Sequence, residues 1–227
     1  MADFNKQILG KVSGALGGVT FRQRNGKTYI STRPGSFTPG SDVKSVARRE
    51  RFSLSIKLAK SINAVPLLNV LWAKDTPQGF QTYNYIMKTN YPAINPPNLT
   101  DLVKIVPSLG FNVSNPVVAL GPNSIKVNID AIGNSTGISA AEEPSFKLVS
   151  IVYLSNPSDA SLSKGVFLTS VSDAKSTDLA AALEFNIALS DVETQMLALY
   201  QNRKGFFAVI SLDAAGNAVH FSNTFVG

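Results

Sequence analysis

The sequence predicts an α+β protein that is mainly β, in which a basic N-terminal hairpin and helix precede an antiparallel β-sandwich of immunoglobulin-like or fibronectin-like architecture. Three observations predict this class. Asn25-Gly26 separates two strand-like runs, a helical pattern of apolar residues follows, and from Ser108 onward short alternating runs are divided by turn-forming residues. Composition divides the chain into a hairpin-helix module at 1–75, a connector rich in Pro, Tyr and Asn at 76–107, and a sandwich domain at 108–227.

The positive charge is concentrated at the N-terminal end. Residues 1–60 contain twelve Lys or Arg and three acidic residues, a net of +9, whereas the whole chain carries +6. Charged residues make up only 16% of the 227 residues, which together with many small polar residues is typical of packed sheets. The clustering indicates that this end of the chain meets a partner, either an acidic protein surface or a polyanion.

The chain has no cysteine and a single histidine, His220. Disulfides, thiolate zinc sites and cysteine nucleophiles are therefore excluded, and we expect no metal and no cofactor. The N-terminal segment lacks the apolar core of a signal peptide, and no run approaches the ~20 apolar residues of a membrane span. We expect a protein made in the cytoplasm that contacts no membrane, and that ends in an extracellular or virion assembly if it is a structural component.

The hairpin is the strongest local signal. Asn25-Gly26 favours a two-residue turn, which places Arg22 opposite Tyr29 and Phe21 opposite Ile30. Alternation then puts apolar residues on one face and, on the other, Arg22, Arg24, Lys27 and Tyr29. This second face is interpreted either as a solvated face with a cross-strand Arg–Tyr pair, the reading we favour, or as a nucleic-acid contact.

A helix is predicted from a cap at Ser41 or Asp42 to about Asn63. Its apolar residues form two stripes on nearly opposite sides. The first contains Val43, Ala47, Leu54, Leu58 and Ile62, and the second contains Phe52, Ile56 and Ala59. Because one sheet cannot cover both stripes, either the helix lies between two layers of its own chain or one stripe docks on a neighbouring subunit. The second stripe is the candidate assembly interface.

Three arginines, Arg48, Arg49 and Arg51, lie in the N-terminal half of this helix, where positive charge opposes the helix dipole. Carboxylates or phosphates of a partner would favour them there. The alternative is salt bridging within the chain, for example to Glu50 or Asp42. The predicted partner or polyanion contacts are therefore the four residues of the hairpin face together with these three arginines.

Beyond this helix we predict a second helix from Leu67 to Lys74, an irregular proline-rich connector, and seven strands. The predicted strands are Val117–Leu120, Ile125–Ala131, Phe146–Leu154, Gly165–Val171, Ala181–Ala188, Gly205–Leu212 and Ala218–Phe225. One further helix is predicted after Ser190, whose spacing to Glu193 is that of a capping box.

Catalytic patterns are present but incomplete. Gly133 to Gly137 fits G-x-S-x-G around Ser135, yet no convincing helix follows, and the only available base is His220 in a predicted hairpin. Two S-x-x-K matches, at Ser161 and Ser172, lack their companion motifs. We therefore predict no catalytic residue and no enzyme.

A resemblance is carried by the glycine-rich run from Gly10 to Gly18, by Asn25-Gly26-Lys27-Thr28-Tyr29-Ile30 with Arg33-Pro34, by Arg49 and Arg51-Phe52, and by the closing strands around Asp213 to Asn217. These segments resemble an uncharacterised bacterial domain-of-unknown-function family, although the family's tryptophan-like positions in the hairpin are not matched. The resemblance implies a β-sandwich behind a basic hairpin and helix, and it implies no activity.

Three hypotheses follow. The leading one is a noncatalytic structural protein that self-assembles into a homo-oligomer or polymer, as a virion, tail, sheath or filament component, through its hairpin-helix module. The second is a nucleic-acid-binding protein that uses the basic face. The third and least favoured is a hydrolase at Ser135. We expect no small-molecule substrate.

Overall fold

The computed structural model describes residues 2–4, 14–24, 27–33, 35–36, 38–133 and 136–227. The chain forms two compact units, Met1–Val46 and Ala47–Gly227. Asn25-Gly26, Ser135 and part of the Gly10 to Gly18 run lie outside the described residues. The domain limits predicted at residues 75 and 107 concern where the chain could fold independently, and they stay a prediction.

The N-terminal unit contains a four-stranded antiparallel sheet with the order β1-β4-β3-β2. Its strands are β1 Ala2–Phe4, β2 Gly14–Leu16, β3 Val19–Arg24 and β4 Lys27–Thr32. The predicted hairpin register is confirmed, since Arg22 lies opposite Tyr29, Phe21 opposite Ile30 and Arg24 opposite Lys27. The two outer strands were not predicted, because three-residue segments carry too little periodicity to be recognised.

The described part of the chain contains four α-helices. They are α1 Val43–Ala64, α2 Pro66–Asp75, α3 Thr82–Asn90 and α4 Asp191–Ala198. The predicted cap of α1 is confirmed, because the backbone N–H of Ser45 donates to Oδ1 of Asp42 at 2.9 Å. The capping box of α4 is confirmed as well, with Ser190 and Glu193 bonded reciprocally.

Helix α3 corrects the prediction that the proline-rich connector is irregular. The prolines Pro77 and Pro92 flank the helix and leave its interior free of ring constraints. Its Tyr85 ring meets the Trp72 ring edge to face, with 5.8 Å between ring centroids. Packing against α2 therefore stabilises a helix that is too short to form by propensity alone.

The larger unit contains two main sheets. A six-stranded antiparallel sheet has the order β10-β9-β13-β14, with β11 added to β9 and β15 added to β13, and a three-stranded sheet has the order β12-β8-β7. A small hairpin pairs β5 Ile94–Asn95 with β6 Asn98–Leu99. The remaining strands are β7 Val117–Leu120, β8 Ser124–Ile129, β9 Ser145–Pro157, β10 Gly165–Val171, β11 Lys175–Ser176, β12 Leu183–Ala188, β13 Tyr200–Leu212, β14 Ala218–Phe221 and β15 Phe225–Val226.

The six-stranded sheet is buried on both faces. Along β9, Leu148, Val152 and Leu154 belong to a core shared with the three-stranded sheet, whereas Val149 and Ile151 belong to a core shared with α1, α2 and α3. The alternation of side chains along the strand produces this division. The unit is therefore layered as helices, large sheet and small sheet.

This layering confirms the α+β class with mostly antiparallel sheets, and it does not confirm an immunoglobulin-like or fibronectin-like sandwich. Such a sandwich has two sheets with solvated outer faces, whereas helices cover the outer face of the larger sheet here. The limits of β8, β9 and β12 differ from the predicted ones by one to three residues, and two differences are larger. β13 begins at Tyr200 rather than Gly205, and the predicted last strand is divided into β14 and β15.

Within the described residues, no single helix is long and apolar enough to cross a membrane. By length and composition alone, α1 and α2 together meet that requirement, as a pair bent by 105°.

Candidate functional site

The predicted basic face lies on the N-terminal sheet. Arg22 and Lys27 are exposed, and Tyr29 is half-buried opposite Arg22. The backbone of Arg24 pairs with that of Lys27, and the Arg24 side chain lies outside the described part of the structure. The strands thus bring Arg22, Lys27 and Tyr29 to one face, and the role of all four predicted hairpin residues in contacting a partner stays a prediction.

Arg51, predicted as a partner contact, is engaged within the chain. Its Nε and Nη2 donate to the carbonyl of Tyr91 at 3.1 and 2.9 Å, and Nη2 also donates to the carbonyl of Pro92 at 3.2 Å. The guanidinium also lies over the Tyr91 ring, 4.4 Å from its centroid. The Arg51 guanidinium is therefore bound by carbonyl oxygens just after α3. Arg48 and Arg49 are exposed on α1. Salt bridging by Glu50 is present, but its partner is Lys164 at 2.9 Å.

The three residues of the second apolar stripe of α1 differ in their burial. Ala59 is buried in the core beneath the helix, together with Leu54 and Leu58 of the first stripe. Ile56 is half-buried, and Phe52 is 49% exposed. Of the three predicted interface residues, Phe52 is the one with a large free surface.

A different cluster, which the sequence did not indicate, gathers Glu143, Ser211 and His220. Glu143 lies two residues before β9, Ser211 lies near the end of β13, and His220 lies in β14. Pairing of β9 with β13 puts Phe146 opposite Ser211, and pairing of β13 with β14 brings His220 beside Ser211. The sheet therefore places three polar side chains at one end of the larger unit.

Glu143 is the centre of this cluster. Its carboxylate is 4% exposed and lies 2.9 and 3.0 Å from Nδ1 of His220. The hydroxyl of Ser211 donates a short hydrogen bond to the same carboxylate, and the backbone N–H of Ser139 donates to it at 3.3 Å. The Ser211 hydroxyl oxygen in turn accepts the backbone N–H of His220 at 2.9 Å. This closed network holds the carboxylate in one position.

The network also sets the ionisation of the carboxyl group. Burial is the largest single influence on the pKa of Glu143 and opposes ionisation, but hydrogen bonds from Ser211 and His220 and from the Ser139 backbone, aided by attraction to His220, outweigh it. The pKa of Glu143 is therefore lowered from its ordinary value of 4.5. At neutral pH the group is a carboxylate, which can only accept hydrogen bonds.

His220 is 45% exposed and lines a cleft of about 570 Å³. Polar groups form the larger part of its wall, which includes Asn112, Ser114, Thr136 and His220. The lining residues are Leu109, Gly110, Phe111, Asn112, Ser114, Ile132, Thr136, Val219, His220 and Phe221. A volume of this size is in the range of small-molecule sites.

The cluster is neither a metal site nor a serine triad. The described residues contain no group of three His, Cys, Asp or Glu side chains that could hold a metal ion. Ser211 donates to the carboxylate rather than to an imidazole nitrogen, so it is not placed as a nucleophile activated by histidine. Ser135, the predicted nucleophile of the hydrolase hypothesis, lies outside the described residues.

A second cleft, of about 660 Å³, lies between α1 and the ends of β9 and β10. Its cations are already engaged, because Lys57 donates to the Ser163 hydroxyl at 2.8 Å and to the Gly165 carbonyl at 3.0 Å, and Lys164 pairs with Glu50. Because its lysine side chains are already bound within the chain, this cleft offers a ligand fewer free polar groups than the cleft at His220.

The sequence contains no local signal of the Glu143 cluster. Glu142-Glu143 looks like an ordinary exposed pair, and no local spacing links Glu143 to a histidine 77 residues away. A scan against protein-family models finds no match, and a search of curated proteins finds no significant similarity. The resemblance to an uncharacterised bacterial family therefore stays an expectation.

Proposed function

We propose that this chain is a noncatalytic structural protein that assembles with copies of itself, as a component of a virion, tail, sheath or filament. The observation that carries the proposal is the lack of buried side chains among the described residues of the N-terminal sheet. Among its described side chains none is buried, so this sheet has no packed core of its own. Sheets of a few short strands are stable only when one face is packed against another layer.

The two faces of the N-terminal sheet differ in chemistry. Register and alternation put Leu16, Val19, Phe21 and Ile30 on one face, where Leu16 is 71% exposed and the other three are half-buried. Apolar surface of this kind is favourable to cover, at about 25 cal/mol for each Å² removed from water. The face therefore needs an occupant.

The absence of charged side chains among the described residues of the apolar face favours a second copy of the chain as its occupant. The described polar residues on the apolar face are Gln23, Thr28 and Thr32, and none of its described side chains is charged. Two copies could stack this face without burying a charge, while the basic face remains in water. Phe52, exposed on α1, offers further apolar surface for assembly.

We further propose a structural class for the larger unit and a cellular location for the protein. The two sheets of the larger unit share a core, which supports assigning them to the broad group of sandwich proteins that includes immunoglobulin-like and fibronectin-like domains. Synthesis in the cytoplasm and delivery into an extracellular or virion assembly belong to the same proposal.

The test is the molar mass in solution, measured by light scattering and sedimentation over a concentration series. We expect concentration-dependent oligomers that resist high salt, because the contact is apolar. Leu16→Glu should dissociate them by placing a charge on the apolar face. Thr20→Glu is the matched control, since Thr20 lies on the opposite face of the same sheet. A monomer at all concentrations, or equal effects of the two substitutions, would overturn the proposal.

Nucleic-acid binding is the second candidate. The observation that favours it is the pairing of exposed Arg22 with Tyr29 across the hairpin, beside exposed Lys27. The affinity for duplex DNA should then fall with salt by a slope of about −0.9 for each neutralised phosphate, and Arg22→Gln should reduce that slope by about one. Salt-independent anisotropy of a labelled duplex would exclude this candidate.

A further inference from the structure

The cleft between α1 and the ends of β9 and β10 carries a positive charge that its own side chains do not balance. All of its lining residues belong to the unit Ala47–Gly227. The charged residues among them are Glu50, Lys57 and Lys164, two cations against one anion, so the cleft has a net charge of +1. Because Glu50 pairs with Lys164 at 2.9 Å, the unbalanced charge is that of Lys57.

The ammonium group of Lys57 is hydrogen-bonded only to neutral oxygens. It is half-buried, and its Nζ donates to the Ser163 hydroxyl at 2.8 Å and to the Gly165 carbonyl at 3.0 Å. Among the described residues it pairs with no carboxylate. An ammonium has three N–H donors, so one is left for a further acceptor. An anion in the cleft would compensate a charge that has lost part of its hydration.

This ammonium is held in position by groups that are themselves fixed. The Ser163 hydroxyl also donates to the Gly165 carbonyl, at 3.1 Å, and the Ser163 carbonyl accepts the Tyr200 hydroxyl at 2.9 Å. Gly165 lies opposite Ser155 in the pairing of β10 with β9. A donor positioned in this way loses little conformational entropy when a ligand binds.

Apolar groups form the larger part of the remaining wall. Leu54 of α1 and Tyr153 of β9 line the cleft and belong to the same helix-side core. The Tyr153 hydroxyl donates to the Pro97 carbonyl at 2.6 Å, which brings the turn at Pro96-Pro97 to the same side of the sheet. Burial raises the pKa of Tyr153 to about 12, so this hydroxyl stays protonated and adds no negative charge. The volume of about 660 Å³ is in the range of small-molecule sites.

We propose that this cleft binds a small monocarboxylic acid with an apolar body, the carboxylate accepting a hydrogen bond from Nζ of Lys57 and the body packing against Leu54, Pro96 and Pro97. One carboxylate balances the net charge of the cleft. A phosphate group carries more charge and more acceptor oxygens than one remaining donor can serve. This ligand class departs from the expectation that the protein meets no small molecule, and it does not rest on self-assembly.

The test uses phenylacetate as the probe, with two matched compounds. Phenylacetamide keeps the shape without the charge, and acetate keeps the charge without the ring. Binding is followed at neutral pH and fixed ionic strength on the backbone amide resonances of Gly165 and Asn202, which both line the cleft.

We expect saturable shifts of both resonances with phenylacetate. Phenylacetamide should bind about fivefold more weakly, the difference between a charged and a neutral hydrogen bond. Acetate should bind at least tenfold more weakly, because it buries no ring. The absence of a saturable shift up to the solubility limit of phenylacetate, or equal binding of phenylacetate and phenylacetamide, would overturn the proposal. Inorganic phosphate that binds as tightly as phenylacetate would overturn it too.

Variants test whether Lys57 makes the contact. Lys57→Met keeps an apolar stem and removes the ammonium, so the preference for phenylacetate over phenylacetamide should be lost. Lys60→Met is the matched control, since Lys60 is exposed on the same helix and does not line the cleft, and it should keep the preference. A preference that persists in Lys57→Met, or disappears in both variants, would contradict the proposed contact. If Lys57→Met does not fold, the comparison of the two compounds on the parent protein decides the proposal.

Discussion

Glu143 and His220 are 77 residues apart in the chain, yet Oε2 of the glutamate lies 2.9 Å from Nδ1 of the histidine. The contact ties the turn before β9 to β14, across the end of β13. Because the carboxylate is buried and the imidazole is half-exposed, the pair joins the interior of the sheet layer to the surface of a cleft.

Glu143→Gln should destabilise the protein by about 2 kcal/mol, because it replaces a buried charged acceptor of several hydrogen bonds by a neutral amide. The measurement is the free energy of unfolding in urea. Its exposed neighbour offers a matched control, since Glu142→Gln should change that free energy by no more than about 0.5 kcal/mol. Equal losses in both variants would mean that the network does not stabilise the fold.

The stability difference between the parent protein and Glu143→Gln should depend on pH. Because folding lowers the pKa of Glu143 below its ordinary 4.5, the ionised group stabilises the fold above that pH, and this contribution is lost as the pH falls through the folded-state value. Other acids with lowered pKa, such as Asp159 and Asp213, are common to both proteins and cancel in the difference. The gap between the two thermal midpoints should therefore narrow as the pH falls below 4.5, and a constant gap would contradict the assignment.

Ser150→Ala should leave stability unchanged or raise it by about 1 kcal/mol. Ser150 is fully buried between the two sheets, and its hydroxyl has no hydrogen-bond partner among the described residues. Removing an unsatisfied hydroxyl relieves a desolvation cost and leaves a cavity smaller than a water molecule. Ser211→Ala is the contrasting variant, because that buried hydroxyl is bonded to Glu143 and its loss should destabilise. Calorimetry of both variants tests the distinction, which fails if Ser150→Ala is the less stable of the two.

Arg51→Lys should cost about 1–2 kcal/mol of stability. Its planar guanidinium serves two carbonyls and the Tyr91 ring at once, and an ammonium cannot reproduce that geometry. Arg49→Lys, two residues earlier on the exposed side of α1, should stay within about 0.5 kcal/mol of the parent. Chemical denaturation gives both values, and similar costs would show that the Arg51 contacts contribute nothing specific.

Local patterns in the sequence account for the elements whose signals are local. The register of the hairpin, the capped start of α1 and the capping box at Ser190 each depend on residues a few positions apart, and all three are confirmed. The long apolar runs of β9 and β13 were recognised as strands, but their burial on both faces was not, because one strand does not show which layers will cover it.

What the sequence by itself determined is therefore the hairpin, the longer strands of the larger unit, the starts of α1 and α4, and the concentration of charge at one end. Only the tertiary structure determined three other features: the helix at 82–90, the hydrogen bonds from Arg51 to main-chain carbonyls, and the contact between Glu143 and His220. The physical reason is the same in each case. These features depend on contacts between residues far apart in the chain, whose energies exceed local preference and whose partners no spacing in the sequence specifies.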